Sequence, residues 1–250
     1  MEVREHIAAI AREGQLFATA AERCDFDAPI PTCPEWAMRD LVQHLCGIHL
    51  WAAGHVGKTI PESWDADLVE LAGGSWPSDE DLVDWYLSTN ANLVRVLESA
   101  PPDLECFTFL PAPSPVAMWA RRQASEIAIH RFDAESASGV TTGFDPLLAA
   151  DCLDELLCGF APLRGGRLKV TREQTLHVHA QDTGDDWHLS IGPEVITTSR
   201  RSGPADLTLT GTAADLYLVL WNRAEDSRIA FSGDSELLNV WHRDFLIRWT

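Results

Sequence analysis

The sequence predicts an α+β chain in which a four-helix bundle precedes a small α+β domain. Up to about residue 160, apolar residues recur at three- and four-residue steps, the period of helices that bury one face. After Gly165 and Gly166 the period changes to two, which is typical of strands with one buried face. We therefore expect residues 1–145 to form the bundle and residues 146–250 the second domain, with a linking helix over 146–158.

The first domain is predicted to contain four long helices. Two of them follow from their apolar spacing, and the other two also carry capping signals. Ser78 precedes an acidic first turn, and Ser114 precedes a proline at the first helical position of a helix that should end before Gly139. The predicted helices cover residues 3–23, 36–56, 78–99 and 115–138, and a long loop joins the second to the third over 57–77.

The second domain begins with the same capping signal and then alternates strands with helices. Asp145 and Pro146 open the linking helix. The segments 175–180 and 187–191 alternate in polarity around a Thr-Gly-Asp turn, which predicts a hairpin. The remaining predicted elements are strands over 206–210 and 229–232 and helices over 213–223 and 235–249.

The charge of the chain is concentrated in its first part. The 250 residues include 19 basic and 38 acidic side chains, a net charge of −19, of which residues 1–160 carry −17. A surface this negative repels phosphate backbones and anionic headgroups, so neither nucleic acid nor a membrane surface is expected as a partner. The charge alone does not identify a partner.

The lack of a recognisable targeting signal and the pattern of cysteines predict a cytoplasmic protein. The sequence has no apolar run of membrane-spanning length and no basic and apolar leader at residue 1. Its six cysteines are scattered without a CxxC pair, which favours reduced thiols over a disulfide framework or a structural zinc site.

Three side chains on two predicted helices form a candidate metal site. His44 lies within the apolar stripe of the second helix, while Glu126 and His130 are four residues apart and share one face of the fourth. Together they offer two nitrogens and one oxygen and leave a coordination position open, as catalytic metal sites do.

Simpler interpretations of the same residues stay open. His44 can be a hydrogen-bonded core histidine, and Arg122, Glu126, His130 and Asp133 can form a solvated polar stripe. Arg122, one turn before Glu126, is either a partner that orients this carboxylate or half of a surface ion pair.

Two segments that contain these residues resemble the signature regions of the mycothiol-dependent maleylpyruvate isomerase family. In segment 33–45, Trp36 precedes His44 by eight positions, and segment 125–139 carries the ExxxH pattern of Glu126 and His130. The segments starting at Asp206 and Phe231 resemble the C-terminal domain of the same family, so the likeness covers nearly the whole chain. Glu35 and Ala37 depart from the family, which often has glycine before the tryptophan and a serine or threonine cap after it.

The resemblance implies a fold, ligands and a chemistry. The family has a DinB-like metal-binding four-helix bundle followed by a domain like sterol carrier proteins. In it, the residues that match His44, Glu126 and His130 bind a divalent metal, usually zinc. The implied cofactors are thus a divalent metal and mycothiol or a similar low-molecular-weight thiol, with a small electrophile as substrate.

The expected activity is that of a thiol-dependent cis–trans isomerase or S-transferase in which a metal-bound thiolate is the nucleophile. A non-catalytic metal- or ligand-binding protein and a metal-dependent hydrolase are the alternatives. Monomer and homodimer are both compatible with the sequence.

The other histidines are expected to lie outside the site. His49 and His55 should face solvent, and His177 and His179 share one face of a predicted strand without further ligands nearby. Cys46, two positions after His44, should point away from it. Trp36 and Trp51 are expected to pack in the core.

Overall fold

A computed structural model describes residues 1–61 and 67–246 and divides the chain into two compact units, 1–143 and 144–250. The first unit is helical, with one two-stranded hairpin ahead of its second helix. Its elements are α1 (Val3–Ala21), β1 (Pro29–Ile30), β2 (Cys33–Ala37), α2 (Met38–Val56), α3 (Leu68–Leu71), α4 (Asp79–Ser99) and α5 (Pro115–Ser138).

The long helices begin and end close to the predicted positions, and α5 uses both of its predicted capping signals. The Ser114 hydroxyl accepts a hydrogen bond from the Ala117 amide at the start of α5, and Gly139 ends the helix with a φ of 69°. Helix α2 begins two residues later than predicted, because Trp36 and Ala37 belong to β2. The predicted loop over 57–77 contains the short helix α3 among its described residues.

The core of the first unit lies between its four long helices. Helix α1 packs on α4 and α5, and α2 packs on the same two helices. Large apolar side chains from each helix fill this space at close to zero exposure, among them Phe17, Leu41, Tyr86 and Ile127. Burial of this kind stabilises the fold by about 25 cal/mol per Å² of apolar surface.

A charged residue is also buried in this core, on the side of α5 that faces α1. Arg131 is fully buried, and its Nε donates to Glu13 Oε2 at 2.5 Å while its Nη1 donates to Glu135 Oε2 at 2.8 Å and to the Thr142 carbonyl at 2.9 Å. Two carboxylates thus compensate one guanidinium, and Glu13 is itself in contact with Arg12 at the surface. The network ties α1 and the residues after α5 to the middle of α5.

The second unit combines a five-stranded sheet with helices. Its elements are α6 (Pro146–Asp154), a π-helical segment (Glu155–Phe160), α7 (Ala161–Leu163), β3 (Gln174–Ala180), β4 (Asp185–Ile191), β5 (Ile196–Ser199), β6 (Leu207–Gly211), α8 (Ala213–Leu220), a 3₁₀ turn (Asp226–Arg228), β7 (Ala230–Gly233) and α9 (Ser235–Asp244). The strand order is β5-β4-β3-β6-β7, with β3 and β6 parallel and the other neighbours antiparallel.

The register of this sheet separates an apolar face from a polar one. Val178 pairs with Trp187 and Leu209, all fully buried, whereas the next residue, His179, pairs with Asp186 and lies on the other face. The predicted α+β class, with a helical bundle before a small α+β domain, is confirmed.

Three features of the second unit differ from the sequence prediction. Strand β5 was not predicted, since Ile-Thr-Thr-Ser is short and mostly polar. The linking helix continues past Asp154 as a π-helical segment, where the Thr198 hydroxyl donates to the Leu157 carbonyl. The last helix ends at Asp244, and the final residues of its predicted range, 247–249, lie outside the described residues.

Two further observations concern the described part of the chain. None of its helices combines the length and the apolar character needed to cross a bilayer. No disulfide joins any of the six cysteines, all of which fall within the described residues.

The Arg131 network leads to a prediction about stability. Replacing Arg131 with Ala leaves Glu13 and Glu135 buried without their shared cation, so we expect the free energy of unfolding to fall by about 3–5 kcal/mol. Urea unfolding in the presence of EDTA, which removes any bound metal, measures this loss.

Arg12 provides the matched control, because it contacts the same Glu13 carboxylate from a half-exposed position. Arg12→Ala should change stability by less than about 1 kcal/mol. Equal losses for the two variants would show that burial does not determine the strength of this network.

Candidate metal centre

Three side chains from α2 and α5 converge in the first unit. His44 Nε2 lies 3.0 Å from Glu126 Oε1, and His130 Nε2 lies 3.4 Å from the same oxygen. One ligand atom from each residue falls within 4.8 Å of the other two. Among residues 1–61 and 67–246, this is the one group of three or more histidine, cysteine or acidic side chains with such spacing. The structure thus brings together the three residues that the sequence singled out.

The separations fit a tetrahedral metal ion. With metal–nitrogen and metal–oxygen bonds of about 2.0–2.2 Å, two ligands of a tetrahedron lie roughly 3.3–3.6 Å apart. The separation of 3.4 Å between His130 Nε2 and Glu126 Oε1 falls within this range, and the separation of 3.0 Å between His44 Nε2 and the same oxygen is slightly shorter. Two imidazole nitrogens and a carboxylate oxygen are also a donor set that zinc accepts in catalytic sites. The residues present therefore fit a divalent ion with one position left for another ligand.

The site is buried, which rules out the solvated stripe as an interpretation of α5. Arg122, Glu126, His130 and Asp133 are between 0 and 6% exposed. Buried charges need compensating partners. Each of these four side chains has a hydrogen-bond partner, which lies on α5 itself, on α2 or on the loop between β1 and β2.

Arg122 is the cationic partner of Glu126. Its Nη2 donates to Glu126 Oε2 at 2.5 Å, so the oxygen that faces Arg122 is not the one that faces the two histidines. Burial alone would raise the pKa of Glu126. The charge of Arg122 and the hydrogen bonds from His130 and His44 outweigh burial and hold this pKa well below its usual range. The surface ion pair considered for Arg122 is wrong, because both partners are buried.

Asp133 is a second anionic neighbour of His130. The sequence predicted only that it shares the polar face of α5. His130 Nδ1 lies 2.8 Å from Asp133 Oδ2, three residues further along the helix. Burial opposes protonation of His130, but Asp133 and Glu126 overcome it and raise its pKa to about 9. For His44 the balance is reversed, since burial lowers its pKa despite the contact with Glu126.

The hairpin before α2 closes one side of the site. The Trp36 ring lies 4.7 Å from the His44 ring and 5.8 Å from the His130 ring, measured between centroids. Trp36 therefore lines the site and also packs, partly buried, against the core. Sequence analysis assigned it to the core alone, although its position eight residues before His44 was part of the recognised pattern.

Two of the other histidines considered in the sequence analysis lie in a different environment from the one predicted. His49 and His55, predicted to face solvent, are buried at 0 and 1% exposure, and burial lowers the pKa of His49 to about 3. The apolar spacing of α2 identified one buried face, whereas the helix is buried on most of its circumference. In the second unit, His177 and His179 both contact Asp186 Oδ1, at 2.7 and 3.0 Å.

Cys46 belongs to the core. It is fully buried, and burial raises the pKa of its thiol to about 12. It is not part of the group formed by His44, Glu126 and His130.

Comparisons with known proteins agree over both units. A family model described as the mycothiol maleylpyruvate isomerase N-terminal domain matches residues 7–135, and the model of the C-terminal domain of the same family matches residues 148–239. No curated protein matches the chain.

Two solved structures are similar over 93% of this chain and 93% of theirs, both with a TM-score of 0.63. One is the mycothiol-dependent maleylpyruvate isomerase, at 15% identity, and the other is a histidine-to-alanine mutant of such an enzyme, at 14%. At this level of identity the likeness establishes the fold.

Replacement of the three convergent residues tests the metal centre. We expect His44→Ala, Glu126→Ala and His130→Ala each to lower zinc affinity by more than about a hundredfold, since even partners outside the ligand set contribute about 10–100-fold. Competition with a chromophoric chelator measures the affinity, and elemental analysis of the purified proteins measures the content. His179→Ala, in the second unit, is the matched histidine control and should bind one zinc as the wild type does. A His130→Ala variant with full metal content would rule out this site.

Arg122 leads to a second prediction, because it and a metal ion compensate the same buried carboxylate. In Arg122→Met the metal-free protein keeps the buried charge of Glu126 without its guanidinium, and we expect its stability to fall by about 3–5 kcal/mol. Bound zinc should restore much of this loss. The melting temperature should thus rise more on addition of zinc in the variant than in the wild type, as differential scanning calorimetry would record. Equal rises would show that Arg122 and the metal act on Glu126 independently.

Proposed function

The chain belongs to the mycothiol-dependent maleylpyruvate isomerase family, and from this premise we propose that it is a metal-dependent enzyme that uses mycothiol as its cofactor. His44, Glu126 and His130 would hold a divalent ion, for which zinc fits the donor set. The observation that carries the proposal is the convergence of these three side chains on one point between α2 and α5. The substrate would be a small electrophile, and the family name favours the cis–trans isomerisation of maleylpyruvate.

The metal's contribution at this position would be to stabilise the thiolate form of a thiol near neutral pH. With a divalent ion bound, the summed charge of the site would favour an anion there. The charged side chains in contact with the site are Glu126, Asp133 and Arg122, which sum to one negative charge when both histidines are neutral, as they would be as metal ligands. A divalent cation would change this sum to +1, and one thiolate would bring it to zero. Such neutrality matters in a buried site, where a net charge is costly.

The protein residues keep this arrangement in place. Arg122 holds the Glu126 oxygen that faces away from the histidines, so the other oxygen stays directed at them. The Trp36 ring packs against both imidazoles on one side of the site. The chain thus provides a position sheltered from solvent in which a thiolate remains a strong nucleophile.

A thiolate can be used in two ways that the same site supports. Reversible addition to an activated alkene, rotation about the resulting single bond and departure of the thiolate is isomerisation, whereas displacement of a leaving group is S-transfer. The two differ in what becomes of the thiol, which is regenerated in the first and ends in the product in the second. We propose isomerisation, with S-transfer as the alternative that the experiment separates.

The fate of the thiol tests this function. Purified protein is incubated with maleylpyruvate and a substoichiometric amount of mycothiol, and substrate, product and thiol are followed by mass spectrometry. We expect many turnovers per thiol with no thiol consumed. EDTA should lower the rate about a hundredfold or more, because the metal contributes several kcal/mol of charge stabilisation, and zinc should restore it.

Each other outcome contradicts the proposal in a defined way. Consumption of one thiol per product would identify an S-transferase. Conversion without thiol, with oxygen from water in the product, would identify a hydrolase. Thiol binding without conversion of maleylpyruvate or of other activated cis-alkenes would identify a binding protein. His179→Ala is the control that should keep wild-type turnover.

A further inference from the structure

We infer that Asp133, held by Thr32, is a positioning residue that fixes His130 with Nε2 directed at Glu126. This inference rests on the proposed metal site and adds to it a support that the sequence did not indicate. It assigns a role to the fully buried carboxylate on α5 and to the turn between β1 and β2.

Both oxygens of Asp133 have hydrogen-bond donors. The Oδ2 atom lies 2.8 Å from His130 Nδ1 and 3.4 Å from the Cys33 thiol, and the Oδ1 atom accepts a hydrogen bond from Thr32 Oγ1 at 2.5 Å. The carboxylate is 0% exposed, so these donors take the place of water. A carboxylate held at both oxygens does not rotate freely, and its position is determined by the hairpin and by α5 together.

This contact decides which nitrogen of a neutral His130 is available as a ligand. A carboxylate only accepts hydrogen bonds, so Nδ1 must carry the proton, which leaves the lone pair on Nε2. Nε2 is the atom that lies 3.4 Å from Glu126 Oε1. The anionic partner also makes the imidazole a stronger electron donor. Asp133 thus sets the tautomer, the ring orientation and the basicity of His130.

Thr32 supports His130 indirectly, through its hydrogen bond to Asp133. It thereby connects two parts of the chain that are distant in sequence. It lies between β1 and β2, 101 positions before Asp133, and is also 3.3 Å from the Ser136 hydroxyl. The same hairpin carries Trp36, which packs on both histidine rings. One short hairpin therefore supports the site through a hydrogen bond and through a ring contact.

Metal binding by variants of these two residues tests the inference. Zinc affinity is measured by chelator competition for the wild type, Asp133→Asn, Asp133→Ala and Thr32→Val. We expect Asp133→Ala to lower the affinity about 10–100-fold. The loss should be smaller for Asp133→Asn, whose amide oxygen still accepts from His130, and for Thr32→Val, which leaves Asp133 in place. Asp133→Asn and Thr32→Val keep the test valid if Asp133→Ala does not fold.

Two spectroscopic measurements report on the position of His130 and do not depend on turnover. The visible absorption of the cobalt-substituted protein should change in the Asp133 variants, because the ligand field follows the orientation of the imidazole. By NMR, the Nδ1 proton of His130 should exchange slowly in the zinc-loaded wild type and much faster in Asp133→Ala.

Glu135→Gln is the matched control, a buried acid on the same helix whose partner is Arg131. It should lose stability but keep wild-type zinc affinity and cobalt spectrum. An equal loss of affinity in this control, or unchanged affinity and spectra in all three test variants, would overturn the positioning role. In the second case the metal site itself would stand, whereas a wild type that binds no metal would refute the proposed function first.

Discussion

The first unit depends on the burial of one carboxylate, Glu126. A carboxylate that is 4% exposed needs compensation, and this one receives it from a guanidinium on one oxygen and from two imidazoles on the other. Arg122 lies one turn before Glu126 and His130 one turn after it, and His44 contacts the same carboxylate from α2. The same arrangement that neutralises the carboxylate leaves two nitrogens and an oxygen directed at one point.

Helix α5 carries two buried polar faces, which explains how a helix without a simple apolar stripe lies inside the bundle. One face consists of the site residues that meet α2 and the hairpin. The other contains Arg131, which donates to Glu13 of α1, and Glu135, which accepts from Arg131. Since 3.6 residues make one turn, His130 and Arg131 point in directions about 100° apart and serve different partners. The helix is thus held in place by polar contacts on two sides, and a shift along its axis would break both.

The sequence predicted the parts of this arrangement that depend on local spacing. The caps of α5 and the four-residue interval between Glu126 and His130 follow from helix geometry, and apolar spacing placed His44 on a packed face. Burial around the rest of α2 could not be predicted, because His49 faces Tyr86 of another helix, at 5.5 Å between ring centroids. The contact between Thr32 and Asp133 was also missed, since 101 positions separate the two and no spacing rule connects a turn to a helix. Strand β5 has too few apolar residues for its pattern to be distinguished from a loop.

The departure from the family pattern at Glu35 and Ala37 affects the start of α2 and leaves the site in place. Ala37 provides no side-chain cap, and its amide instead donates to the Asp40 carboxylate at 2.8 Å, which satisfies one backbone group of the first turn. The position of Trp36 does not depend on that cap, because β1 and β2 pair at Pro29 with Ala37 and at Ile30 with Cys33. The hairpin, held at both ends of β2, fixes the tryptophan against the two histidines. A weaker helix start is therefore compatible with an intact candidate site, since the cap and the three convergent side chains are supported by different contacts.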